Sequence, residues 1–218
     1  MDPPSAAMLT EITVRTLVVC LTALVISLAV GLPIGIALGR RRFRGRVAAV
    51  SLINTGMGAP PVVVGLVVYF ALQRNGPFGG LSWLYSLEAM VLAQVVIALP
   101  LVVGITLAAV GSLDEDWELQ VRTLAVPTRW RLWLLLREIR LGLLAAVITA
   151  LGGILSEVGA VMAVGGNLEG ETRVLTTAIL MYTQMGKLEE ALGLGVILLG
   201  LMLMLAGLLT VVQQSGRS

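Results

Sequence analysis

Five apolar stretches, residues 16–38, 47–72, 87–110, 141–164 and 191–212, constrain this chain more than any other feature. Each reaches the roughly 20 residues an α-helix needs to cross about 30 Å of hydrocarbon. Lipid offers no hydrogen bonds to the backbone, so a spanning stretch of this kind must pair its own N–H and C=O groups as a helix. The expected fold is an all-α integral membrane protein of about five transmembrane helices, with residues 1–218 forming one domain. Composition agrees: 57% of residues are hydrophobic, 13% are charged and the mean hydropathy is +0.96. The 25 glycines suit helices that approach closely within a bilayer.

Three stretches carry breakers near their middles: Gly31-Leu32-Pro33, Ala59-Pro60-Pro61 and Leu99-Pro100. Each is expected to kink its helix and to face protein or a water-lined path, because lipid cannot pair the freed backbone groups. Arginines cluster at 40–46 and again within 111–140, which assigns both loops to the cytoplasm. Arg74 in one remaining connection, and Arg173 and Lys187 in the other, add little positive charge. Five spans then place the N-terminus outside and the C-terminus, with Arg217, inside. Met1-Asp2-Pro3-Pro4-Ser5 lacks a basic signal-peptide start, so the first apolar run reads as a retained helix. The net charge of +2 belongs to these loops and signals topology, with no nucleic-acid partner expected. Histidine is absent and Cys20 is the lone cysteine, which excludes an internal disulfide and leaves no soft-metal ligand cluster.

The loop 111–140 is long, bears both charges and has helical signals. Ser112-Leu113-Asp114-Glu115 reads as a capping box opening one helix, and Thr128 after Pro127 as the cap of a second, running through Trp130 and Trp133. Arginine and tryptophan on such a helix suit either docking to a partner or resting on the inner leaflet.

Glu157 is the acid well inside a late apolar stretch, about 24 Å along its helix from Leu141 at roughly 1.5 Å per residue. A carboxylate there faces a cavity or a partner. Bonding to backbone amides or to hydroxyls of a neighbouring helix fits better than contact with an anion, which it repels. Gly165-Gly166-Asn167, followed by Thr176-Thr177, offers close backbone approach and neutral donors for a weakly hydrated oxyanion. An exposed turn before a capped helix is the alternative.

Gly31-Leu32-Pro33-Ile34-Gly35, Pro60-Pro61-Val62-Val63-Val64-Gly65-Leu66, Gly76-Pro77-Phe78-Gly79, Leu84-Tyr85 with Ala93-Gln94, residues 156–167 and residues 172–179 together resemble the inner-membrane components of binding-protein-dependent ABC importers. The likeness is to the tungstate, molybdate and sulfate group, tungstate-type permeases first. It implies a type I importer permease fold with a cytoplasmic coupling loop at 111–140. The family's Glu-Ala-Ala signature falls on Glu118-Leu119-Gln120 and its glycine on Ala125, followed by Val126 and Pro127; only the glutamate matches. The resemblance favours docking to an ATPase over resting on lipid, and makes Pro60, Pro61, Glu157, Asn167, Thr176 and Thr177 candidates for the path or its gate.

It further implies an oxyanion-binding protein outside, a homodimer, and ATP with Mg on the partner ATPase, none of it bound by this chain. The sequence carries no Gly-x-x-x-x-Gly-Lys-[Ser/Thr] phosphate loop, so the chain is expected not to be an enzyme itself. An ion-coupled secondary transporter would show matching broken helices and a membrane acid pair. A membrane enzyme would show a catalytic cluster, whereas Asp114-Glu115-Asp116 reads as a helix start.

Overall fold

The computed structural model describes residues 5–113, 115–124 and 126–215, among which no strand occurs. The helices are α1 (Ala6–Arg40), α2 (Arg46–Met57), α3 (Pro61–Leu72), α4 (Leu87–Gly111), α5 (Glu115–Thr123), α6 (Thr128–Glu138), α7 (Arg140–Ser156), α8 (Gly159–Gly165), α9 (Leu175–Gln184) and α10 (Leu188–Ser215). Among the described residues α1, α4 and α10 are long and apolar enough to cross a membrane unaided. The bent pairs α2–α3, at 106°, and α6–α7, at 66°, bring the spans to five when each counts as one.

α1 and α4 form a central post. Gly31, Gly35 and Gly39 recur every fourth residue, so they share one face of α1. A Cβ added to them would lie 2.7, 2.7 and 2.6 Å from Val102, Thr106 and Val110 of α4. No side chain fits at those distances, so the β-branched side chains of α4 pack straight onto the α1 backbone. The next layer is α7, whose Ala150, Leu151 and Ile154 pack on Cys20, Ala23 and Leu24 of α1 and Ala98 and Val102 of α4. α10 leans on α9 through Ala191 and Leu194, and turns Leu192, Val196, Leu199 and Leu203 outward, as expected of a lipid-facing helix.

Pro33 and Pro100, expected to kink their helices, lie inside α1 and α4, which continue through them. Their helices are held on both sides of the proline by close packing, and a Cβ on Gly56 of α2 would meet the Pro100 ring at 2.8 Å. The first helix begins at Ala6, ten residues before the apolar stretch, because Ser5 caps it by accepting from Met8 N at 3.3 Å. The fourth stretch is two helices, α7 and α8, parted at Glu157. Segment 165–187, expected as an outer connection, contains α9, a buried helix packed on α1 and α10.

Ser112 closes α4, with its hydroxyl donating to Ala109 O at 2.9 Å; the rest of the capping box expected there, Asp114 and the Glu115 side chain, lies outside the described residues. The Ser112 hydroxyl lies one residue beyond the end of α4, within reach of that helix's unpaired carbonyls. Thr128 is the first residue of α6, and its cap position is taken by Pro127, which has no side-chain bond to give. Proline's fixed φ suits a helix entry, so the chain turns there without a hydroxyl.

Candidate functional site

Two helix breaks meet inside the bundle. At the first, Pro60 disfavours the helical region for Ala59, and Pro61 supplies no N–H, so α2 ends and α3 starts afresh. The Pro60 carbonyl accepts from Val63 N and Val64 N at 2.9 and 3.2 Å, which satisfies two amides of the new helix. At the second, Glu157 leaves the helix with φ −74° and ψ 127°. Its Oε1 accepts from Ala160 N at 2.8 Å, starting α8. The donor is therefore a backbone amide, one of the two kinds of partner expected for Glu157, and it lies three residues along the chain. Of the glycines beside Glu157, Gly152 has open space where a Cβ would sit, whereas one on Gly153 or Gly159 would meet Leu101 of α4 or Val62 of α3 at 3.4 and 2.4 Å.

The first turns of α3 and α8 then cross. A Cβ on Gly65 would lie 2.4 Å from Ala160 Cα, and one on Gly159 would lie 2.4 Å from Val62 Cγ2. At Gly65 the neighbour is the Ala160 backbone, which only glycine permits, and at Gly159 it is the Val62 side chain. Glu157 is 8% exposed beside this crossing, whereas Pro60, Pro61, Val62 and Val63 are open on the outer side of the chain. Gln94 of α4 supports the break from behind: its Nε2 is 3.5 Å from Ile154 O, a carbonyl of the last turn of α7, and its Oε1 is buried without a partner.

The structure brings Pro60, Pro61 and Glu157 to one place, and sets the other path candidates elsewhere. Asn167 follows the far end of α8 with φ 55°, its Oδ1 buried and unpartnered. Thr176 and Thr177 are buried at the start of α9. Thr177 Oγ1 both accepts from Val174 N and donates to Val174 O, at 3.1 Å each, so its bonding capacity is used locally. Sequence reasoning gave Gly65 and Gln94 no role beyond the resemblance. It missed Arg15 and Thr16 of α1, which bind Arg173 O and Leu175 N of the 166–175 loop at 3.1 and 3.0 Å. A polar pair one turn before an apolar helix core was the available signal.

The coupling candidates lie at the other end of the chain's apolar body. Glu118, Leu119 and Gln120 fall on α5, Val126 and Pro127 join α5 to α6, and Ala125 lies outside the described residues. Arg131 Nε donates to Val126 O at 2.7 Å, which fixes the turn between the two helices. Leu135, Ile139 and Trp117 pack on Val110 and Ile36 and anchor the pair to the ends of α4 and α1. Leu119, Leu124 and Trp130 remain exposed, at 64%, 75% and 49%. Arg137 lies 5.3 Å over the Trp133 ring, a cation–π contact that steadies the exposed face of α6.

The sequence profile described as binding-protein-dependent transport system inner membrane component matches residues 31–215, and the chain belongs to that family. It is 42% identical over 200 residues to a probable anion ABC transporter permease protein of Haloferax volcanii, covering 89% of this chain and 86% of that one. It is 39% identical over 178 residues to the tungstate uptake system permease protein TupB of Peptoclostridium acidaminophilum, covering 82% and 78%. With the molybdenum transport system permease protein ModB of Haemophilus influenzae it shares 29% over 184 residues, covering 80% of each. The resemblance to tungstate-type ABC permeases read from the sequence is borne out.

Proposed function

We propose that this chain is the membrane subunit of an ATP-driven oxyanion importer, with tungstate as its first substrate and molybdate or sulfate as alternatives. The observation that carries the reading is the crossing of α3 and α8 at two helix breaks, in a chain similar to permeases named for tungstate. Non-helical backbone at membrane depth is tolerated where it is buried in protein or lines a wet path. Pro60, Pro61, Val62 and Val63 are open on the single chain, which supports a second copy facing them, with the path between the two.

In this reading α5 and α6 seat in a separate ATPase, which binds ATP and Mg, and this chain hydrolyses nothing. Closure of the ATPase moves the pair, and the anchor at Leu135 and Ile139 passes the movement to α4, α7 and the crossing. Substrate arrives from a binding protein outside, so the membrane subunit needs two states of differing access and no tight anion site. The N-terminus and the 165–187 segment lie outside, and 40–46 and 111–140 inside. An impermeant thiol reagent on intact cells should label Asn75→Cys and spare Arg42→Cys, both in a Cys20→Ser background.

Reconstitution tests the whole reading. Proteoliposomes holding this chain and its ATPase should take up tungstate only with ATP and the binding protein, with no requirement for a pH gradient. Gradient-driven uptake without ATP contradicts it.

A further inference from the structure

At the end of the bundle that holds Ser5, a cavity of about 300 Å³ lies between the first turns of α1 and the loop before α9, lined by Ser5, Met8, Glu11, Arg15, Glu169 and Arg173. Arg173 is 6% exposed, and its Nε and Nη1 are buried without a hydrogen-bond partner. Unpaired donors on a buried cation are costly, and a structural arginine is normally bonded throughout. Its neighbour Glu169 places Oε2 3.2 Å from Nη1, near enough to pair in charge but not aligned as a hydrogen bond. The Glu169 side chain is 61% exposed and free to leave. Arg15 differs: its guanidinium donates to Arg173 O at 3.1 Å and Gly170 O at 2.7 Å and pairs with Glu11, so it holds the loop and adds a second positive charge.

We propose that this cavity is a transient oxyanion site, in which Arg173 is the anion's ligand and Glu169 a tethered carboxylate that fills the place until an anion displaces it. The inference rests on the reading of the chain as an oxyanion permease with this end outside. A tetrahedral oxyanion offers an acceptor to Nη1 in the place the Glu169 carboxylate now takes. Two arginines and two glutamates leave the cavity without net charge, so the anion is held weakly. Weak holding suits hand-over, since a site on a path must release what it takes. A carboxylate from an extracytoplasmic partner presents the same oxygen chemistry, and the experiment separates it from the free ion.

The test uses the purified complex of this chain with its ATPase, without the binding protein, and measures molybdate and tungstate binding by equilibrium dialysis. Glu169→Gln removes the competing charge from an exposed position, where folding is unaffected, and is expected to tighten anion binding severalfold. Arg173→Gln is expected to abolish it. Unchanged or weaker binding in Glu169→Gln overturns the site, whatever Arg173→Gln does to folding. Tightening seen only after the binding protein is added assigns the cavity to a partner carboxylate and overturns the free-ion form. Wild-type uptake is measured in parallel. Normal uptake without tightening removes this site alone, whereas no uptake of any oxyanion removes the reading beneath it.

Discussion

The α1–α4 post and the α3–α8 crossing both rest on glycines that let neighbouring helices approach closely, yet they differ in build. The post joins helices of 35 and 25 residues, continuous through Pro33 and Pro100. The crossing joins helices of 12 and 7 residues, each starting at a break. Long helices with many glycine contacts resist relative movement, because no single contact can open alone. Two short helices touching near Gly65 and Gly159 can part by pivoting at Pro60 and Glu157, which is how hinged elements move. A proline in a span therefore does not mark a joint; a proline or an acid that ends one helix and starts the next does.

The largest expected effect separates the two regions. Gly35→Leu places its branch where Thr106 Cβ would be 2.7 Å away. It should cost the folded protein itself, read as loss of a monodisperse peak after extraction. Gly65→Leu meets Ala160 backbone at 2.4 Å. Overpacking costs about 1–3 kcal/mol and falls on the joint. Uptake should drop to background while the complex with the ATPase still purifies. Equal loss of folded protein in both variants would erase the distinction.

Next comes the docking pair. Leu119→Asp and Leu124→Asp put a charge on exposed apolar positions of the α5–α6 turn, where an interface contact is commonly worth over about 1 kcal/mol. Each should weaken ATPase association by roughly tenfold, since about 1.4 kcal/mol is a factor of ten. Undiminished co-purification of the ATPase would move docking elsewhere.

How much of this was legible in the sequence differs from element to element. The apolar stretches announced the spans because length and hydropathy alone decide what lipid accepts. Pro60-Pro61 was legible as a break, since two adjacent prolines remove N–H groups whatever surrounds them. Pro33 and Pro100 were legible as interruptions of the hydrogen-bond ladder, but not that each helix runs on through its proline, which neighbours such as Gly56 beside Pro100 decide. The break at Glu157 was hidden within an apolar run, and only the bond to Ala160 N reveals it. α9 was legible only as the capped helix of one alternative, and its burial was hidden because that comes from α1 and α10. Arg173 was read as a loop charge, since burial of a side chain by a distant helix leaves no mark on local sequence.

A smaller effect sharpens the role of Glu157. Glu157→Gln keeps an acceptor for Ala160 N and should retain part of the uptake. Glu157→Ala leaves that amide unpaired, a loss of about 1 kcal/mol for a helix start, and should lose most of it. Equal loss in both variants would point to the charge and away from the cap. The smallest effect is Gly152→Ala, where nothing lies within 4 Å. Uptake and stability should stay within about 0.5 kcal/mol of the parent.

The central claim, that the α3–α8 crossing is the moving joint of the path, is tested most directly by locking it. An ideal Cβ on Gly159 lies 3.4 Å from Val62 Cβ, close to the disulfide range of about 3.5–4.5 Å. Val62→Cys with Gly159→Cys, in a Cys20→Ser background, should abolish ATP-driven tungstate uptake when oxidised and recover it on reduction. Full uptake by the oxidised, cross-linked protein would contradict the account.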